Sequence, residues 1–142
     1  MKTALITGAS QGIGAAIADK LNDKKIKVIL VSRSKSKLKT FQKNLKFSKN
    51  SLIISKDLRS LSACNSVAKK IKKLDYLINV AGATKGGKFL NLNDNIWEDG
   101  FNLKFKAAVR LSRAFWPALK RSKGKVINIG GGAARNPVSY TH

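Results

Sequence analysis

Five short runs rich in β-branched and aliphatic residues punctuate the chain: Thr3 to Thr7, Lys27 to Val31, Leu52 to Ser55, Tyr76 to Asn79 and Lys125 to Ile129. Each is apolar through its length rather than alternating, which is the pattern of strands in a parallel sheet covered on both faces. Helical periodicity fills the intervals. Ile13, Ile17 and Leu21 recur every four residues, Leu38, Phe41 and Leu45 mark one face of a second segment, and Leu61, Cys64, Val67 or Ala68, and Ile71 mark a third. A longer helix is predicted over about Asn95 to Arg121, where Trp97, Phe101, Phe105, Ala108, Leu111, Phe115, Trp116 and Leu119 make more than one apolar stripe. One stripe suits the sheet; the other either meets a second subunit in a homo-oligomer or completes the monomer core. Strand–helix alternation of this kind predicts a single α/β domain over 1–142, a doubly wound parallel sheet of the Rossmann type with helices on both faces.

At 142 residues and 43% apolar content the chain can bury a core without disulfides, and its single cysteine, Cys64, suits a reducing compartment. No apolar run approaches the ~18 residues of a membrane span, and Met1-Lys2 leads directly into the first strand rather than a signal peptide. The expectation is a soluble, cytoplasmic protein with no membrane partner. With one histidine and one cysteine, no metal site is expected.

The charge complicates the picture. There are 29 basic residues against 7 acidic ones, a formal net charge of +22, and such an excess attracts polyanions through counterion release. The basic residues are spread along the chain, however, and lysine outnumbers arginine 23 to 6, so the bidentate forks that read bases and phosphates are few. Runs such as Lys69-Lys70-Ile71-Lys72-Lys73 read as solvated faces. No specific nucleic-acid partner is expected; a basic nucleic-acid-binding module is the third reading, marked by steep salt dependence of binding.

The chemistry concentrates between the first strand and the first helix, at Thr7-Gly8-Ala9-Ser10-Gln11-Gly12-Ile13-Gly14. Glycines permit a tight turn and close backbone approach to a pyrophosphate, and the following helix N-terminus offers unpaired N–H groups and partial positive charge. The motif follows a strand and opens a helix, which is the context a dinucleotide cradle requires. The second strand ends in Val31-Ser32-Arg33 rather than in the acidic residue that holds a ribose 2′-hydroxyl. Arg33 offers a charged fork and Ser32 a hydroxyl to a 2′-phosphate, with Lys35 and Lys37 near in sequence, so NADP(H) is favoured over NAD(H).

Thr-Gly-x-x-x-Gly-x-Gly, here Thr7 to Gly14, resembles the cofactor fingerprint of short-chain dehydrogenases/reductases, and further matches follow in order over nearly the whole chain. Asp57-Leu58 is similar to the family's adenine-contacting position, and Asn79-Val80-Ala81-Gly82 to its Asn-Asn-Ala-Gly element bordering the cofactor, with Val80 for the second asparagine. Asn102 falls where the family places a catalytic asparagine at a helix irregularity. The resemblance implies that Gly8, Ser10, Gly12, Ile13 and Gly14 hold the pyrophosphate, Arg33 the 2′-phosphate and Asp57 the adenine, with Asn102 in a proton relay. Gln11 stands where many NADP-using relatives carry a second basic residue. The implied activity is hydride transfer between a nicotinamide and a small carbonyl or alcohol substrate.

The resemblance breaks near the C-terminus. Family catalysis uses a serine after the fifth strand, a tyrosine about a dozen residues later and a lysine four beyond it, the lysine lowering the phenol's ordinary pKa of ~10. Gly130-Gly131-Gly132 occupies the serine's place, and Tyr140 is followed only by Thr141 and His142. Backbone N–H groups of Gly131 and Gly132 offer a partial substitute as oxyanion donors. The chain therefore reads as the cofactor-binding portion of a longer oxidoreductase, itself inactive, with a non-catalytic NADP(H)-binding or sensor protein as the alternative. Val138 to His142 is also the translation of a transposase-adapter end used in sequencing libraries, so 138–142 are expected not to be native. Reading the source DNA past the codon for Pro137 tests this: the expected frame continues into a tyrosine followed four residues on by lysine. A genuine stop after His142 would leave a nucleotide-binding remnant.

Overall fold

The computed structural model describes residues 1–82 and 86–131. Its centre is a five-stranded parallel sheet made of β1 (Thr3–Thr7), β2 (Lys27–Ser32), β3 (Ser51–Ser55), β4 (Tyr76–Asn79) and β5 (Lys125–Asn128), in the order β3-β2-β1-β4-β5. Five expected strands are thus five observed strands, and the order reverses beside β1, as in a Rossmann-type sheet. The register sets Leu5 beside Ile29 on one side and beside Leu77 on the other.

Because side chains alternate across a strand, each central strand feeds two cores. Leu5, Ile29, Val31 and Leu77 point to one face, where they meet Cys64 and Val67 of α3 (Leu61–Lys69) and the long C-terminal helix. Ala4, Ile6, Val28, Leu30 and Ile78 point to the other, against Ala18 of α1 (Gly12–Asp23) and Leu38 of α2 (Lys35–Asn44). Continuous apolar character is therefore justified for β1, β2 and β4. It does not hold at the two outer strands of the described sheet, where Leu52 of β3 and Ile127 of β5 are exposed.

Two helical stripes also differ from expectation. In α1 the buried residues are Gly14, Ala18 and Asn22, with Ile17 and Leu21 flanking them and Ile13 exposed. Close helix–strand approach selects small residues for the centre of that face. Asn22 belongs there because its amide holds the Phe47 backbone, donating from Nδ2 to the carbonyl at 3.0 Å and accepting from the N–H at 2.8 Å. In α3, Cys64 and Val67 are buried but Leu61, the first helical residue, is exposed; a helix end has packing neighbours on one side only.

The long helix is present but not uniform. It runs as α4 (Asp94–Gly100), a π-helical segment (Phe101–Lys106) and α5 (Ala107–Ser122). Leu103, Ala107, Leu111, Phe115, Ala118 and Leu119 enter the core, while Trp97, Phe101, Phe105, Val109 and Trp116 form the second, exposed stripe. No described helix is long and apolar enough to cross a membrane.

Cys64 shows how tightly the α3 face closes. It is fully buried, its thiol is directed at the Leu58 carbonyl at 3.5 Å, and burial pushes its pKa upward, with Arg110 opposing in part. A thiol kept neutral in the fold contributes stability that is fully present below the ordinary thiol pKa. That contribution is lost as the pH climbs from there through the raised folded value. Two outcomes are expected: a thiol reagent labels native Cys64 only as fast as the chain opens, and Cys64→Ala shows less alkaline loss of melting temperature than the parent. Immediate labelling of the native chain would contradict this burial.

Candidate functional site

At the C-terminal ends of β1 and β4, where the strand order reverses, the sheet opens into a cleft of about 400 Å³. This switch point is where open α/β sheets bind ligands. One wall is the turn from β1 into α1, comprising Gly8, Ser10, Gln11, Gly12, Ile13 and Gly14. Its shape has two physical causes. Gly8 has φ +64°, and a Cβ there would lie 3.1 Å from the Ala81 backbone, so the turn presses directly on the end of β4. A Cβ on Gly14 would lie 2.2 Å from the Gly8 carbonyl oxygen, so the helix starts flush against its own turn. Gln11 provides no side-chain cap to α1, leaving the first-turn N–H groups pointed outward for an anion.

Thr7 locks this corner. Its Oγ1 accepts from both the Val80 and Ala81 N–H groups at 2.9 Å, satisfying two donors where β4 leaves the sheet. Across the cleft stand Val31, Ser32, Arg33 and Ser34 from the end of β2, and Lys37 from the first turn of α2. Ser34 caps that helix by accepting from Lys37 N–H at 3.3 Å, and Lys37 Nζ donates to Gln11 Oε1 at 3.3 Å. The cation that the glycine motif lacks at Gln11 thus arrives from α2. Lys56 adds a third charge, and no carboxylate lines the cleft among the described residues. Val80, Leu58 and Leu103 supply apolar wall, with Ala81 and Gly82 beside them.

Most of the site residues expected from sequence therefore converge: Gly8, Ser10, Gln11, Gly12, Ile13, Gly14, Ser32, Arg33, Leu58, Ala81 and Gly82 share one cleft. Three do not line it. Asp57 has both carboxylate oxygens engaged by Arg59, from its N–H at 3.1 Å and Nη1 at 3.3 Å. Asn79 faces a second cavity of about 500 Å³, shared with Ala81, Ser112 and Asn128. It donates to Asn128 Oδ1 at 2.8 Å while its own Oδ1 has no partner. Asn102 is half-buried within the π segment, its amide 3.4 Å from Glu98 Oε1 and its carbonyl accepting from Ala107 N–H. The expected helix irregularity is present at that residue. Sequence reading missed Ser34, Lys56 and Leu103; the first two follow the ends of β2 and β3, where the topology places ligands, and Leu103 adjoins Asn102. Gly130 and Gly131 are exposed, whereas Gly132, Tyr140 and His142 lie outside the described residues.

Residues 2–141 match the short chain dehydrogenase family. The chain belongs to that family. Among curated short-chain relatives, the 3-oxoacyl-acyl-carrier-protein reductase FabG of Rickettsia typhi is 36% identical over 139 residues, which is 96% of this chain and 57% of that protein. L-sorbose reductase from Gluconobacter frateurii, solved with NADPH and L-sorbose, superposes with a TM-score of 0.90 at 28% identity, covering 98% of this chain and 56% of that one. A metagenomic short-chain oxidoreductase in complex with NADP superposes at 0.89 and 33% identity, over 97% and 66% respectively. The chain thus spans little more than half the length of the curated relatives it matches.

In this family setting the Thr7 lock is open to direct test. Thr7→Val removes the acceptor for two N–H groups and is expected to destabilise the chain by about 2 kcal/mol or more, while Thr7→Ser stays close to the parent. Urea unfolding midpoints measure both. Equal midpoints for the valine and serine variants would remove Thr7 from this role.

Proposed function

We propose that the intact protein is an NADP(H)-dependent oxidoreductase acting on a small carbonyl or alcohol substrate, and that this chain carries its cofactor-binding portion. The observation that carries the reading is the composition of the cleft: a helix N-terminus without a side-chain cap from Gln11, glycines pressed too close for side chains, and Arg33, Lys37 and Lys56 with no opposing carboxylate among the described residues. A nicotinamide dinucleotide supplies the hydride chemistry when bound.

The residues fit distinct parts of such a cofactor. Gly8, Ser10, Gly12, Ile13 and Gly14 present the backbone N–H groups that suit a pyrophosphate. Ser32 and Arg33, with Lys37 drawn across to Gln11, favour a 2′-phosphate over a free ribose hydroxyl, which supports NADP(H) over NAD(H). Leu58 offers an apolar surface to the adenine, and Asp57 an acceptor at its edge. Asn79, Ala81 and Gly82 would border the nicotinamide of a bound cofactor, and Asn102, in the π segment, would take part in the proton relay.

A second reading draws on one specific feature. Gly130 and Gly131 occupy the position of the family's serine, which favours a nucleotide-binding protein without the catalytic group. We place the protein in the cytoplasm, with no specific nucleic-acid or membrane partner. The exposed row of Trp97, Phe101, Phe105, Val109 and Trp116 supports self-association of the intact protein.

Titration of this chain with NADPH and NADH, followed by calorimetry, tests the cofactor reading. NADPH is expected to bind more tightly, and Arg33→Ala to weaken NADPH roughly tenfold while barely changing NADH. Equal affinities that Arg33→Ala leaves untouched would overturn the preference. Binding to duplex DNA that falls steeply with salt, with no response to NADPH, would instead favour a nucleic-acid module.

A further inference from the structure

We propose that Arg59 is a positioning residue that ties the wall of the nucleotide cleft to both sides of the π segment, so that a nucleotide seated against Asp57 and Leu58 also holds Phe101–Lys106 in place. The inference rests on the nucleotide reading of the cleft given above.

Arg59 is the only residue joining these elements on three fronts among the described hydrogen bonds and ion pairs. Toward the cleft, its N–H and Nη1 hold the two oxygens of Asp57 at 3.1 and 3.3 Å. Toward α4, its Nε lies 2.9 Å from Asp99 Oδ1, an ion-pair contact without hydrogen-bond alignment, two residues before the π segment begins. Toward α5, its carbonyl accepts from Arg110 Nη1 at 3.1 Å, three residues beyond Ala107. The contacts to Asp99 and Arg110 bracket the π segment. Arg59 is the less exposed member of its ion pairs, 28% against 48% for Asp57 and 51% for Asp99, and its Nε is shut off from water.

Two consequences follow from this geometry. A π turn replaces the usual helical hydrogen bonds with wider ones, here Ala107 N–H to the Asn102 carbonyl. Arg59 contacts the helix on either side of it. Leu58 and Leu103 both line the cleft, so the two segments that Arg59 links contribute to one site. A carboxylate has about four acceptor positions, so Asp57 can accept from a nucleotide base without releasing Arg59. The arginine also cancels the Asp57 charge that would otherwise repel a polyanionic cofactor. Lysine carries the charge but lacks the fork needed to reach both carboxylates.

The experiment uses adenosine 2′,5′-bisphosphate, which carries adenine and a 2′-phosphate but no nicotinamide. Calorimetry reads its binding, and hydrogen–deuterium exchange reads the amides of 101–107 with and without it. In the parent chain, binding is expected to slow exchange in that segment several-fold. Asp99→Ala changes an exposed helical position to a good helix former and leaves the Asp57–Arg59 pair intact. It is expected to bind within about twofold of the parent yet lose the ligand-dependent slowing. Arg59→Lys is expected to weaken binding about two- to fivefold and lose the slowing too, with circular dichroism showing that both variants fold. Full slowing retained in Asp99→Ala would overturn the link while leaving the nucleotide reading intact. Failure of the parent chain to bind the bisphosphate would overturn the nucleotide reading and the link together.

Discussion

The close approach of the first turn to the end of β4 is the constraint on which the rest of the site depends. Gly8 touches the Ala81 backbone, Gly14 touches Gly8, and Thr7 accepts from the N–H groups of Val80 and Ala81. A Cβ at either glycine, or loss of the threonine hydroxyl, would pry β1 and β4 apart where the strand order reverses. That separation matters because the reversal creates the crevice: helices leave β1 and β4 toward opposite faces, and only a turn without side chains can lie between them. Gln11, at the N-cap of α1, makes no side-chain hydrogen bond to the first-turn N–H groups.

Charge is organised on a smaller scale than the net +22 suggests. Within the cleft, cations stand without carboxylates, whereas Asp57, Glu98 and Asp99 around it are each matched to a basic partner. An unpaired acid near a polyanionic ligand is costly, and the ion pairs remove that cost without removing the acceptors. Most of the remaining lysines are on solvated surface. They raise the general attraction for anions but do not shape a site.

The helix from Asp94 to Ser122 meets two demands at once. Its core stripe of Leu103, Ala107, Leu111 and Phe115 packs on the sheet, and its π segment brings Leu103 to the cleft lining. A uniform α-helix would keep the packing but not this local widening. The irregularity is braced within the helix by Glu98 with Asn102 and Lys106, and from outside by contacts of the β3–α3 turn with Asp99 and Arg110.

What the sequence determined by itself follows from period and from glycine. Uninterrupted apolar runs identified all five strands, and the TGxxxGxG motif marked the turn from β1 into α1, because a strand, a tight turn and a helix start are local matters. The place of Arg33 in the cleft lining followed for the same reason, since it stands at the end of a strand. The tertiary structure decided the rest. Ile13 leaves the core because Gly14 and Ala18 pack closer, and Leu52 on the outer strand β3 is exposed despite its apolar run. Lys37 reaches Gln11 across 26 positions, and Arg59 reaches Asp99 and Arg110 across still more. No periodicity encodes those contacts: they exist only once parallel strands bring the turns after β1, β2 and β3 to one edge of the sheet, where distant residues become neighbours.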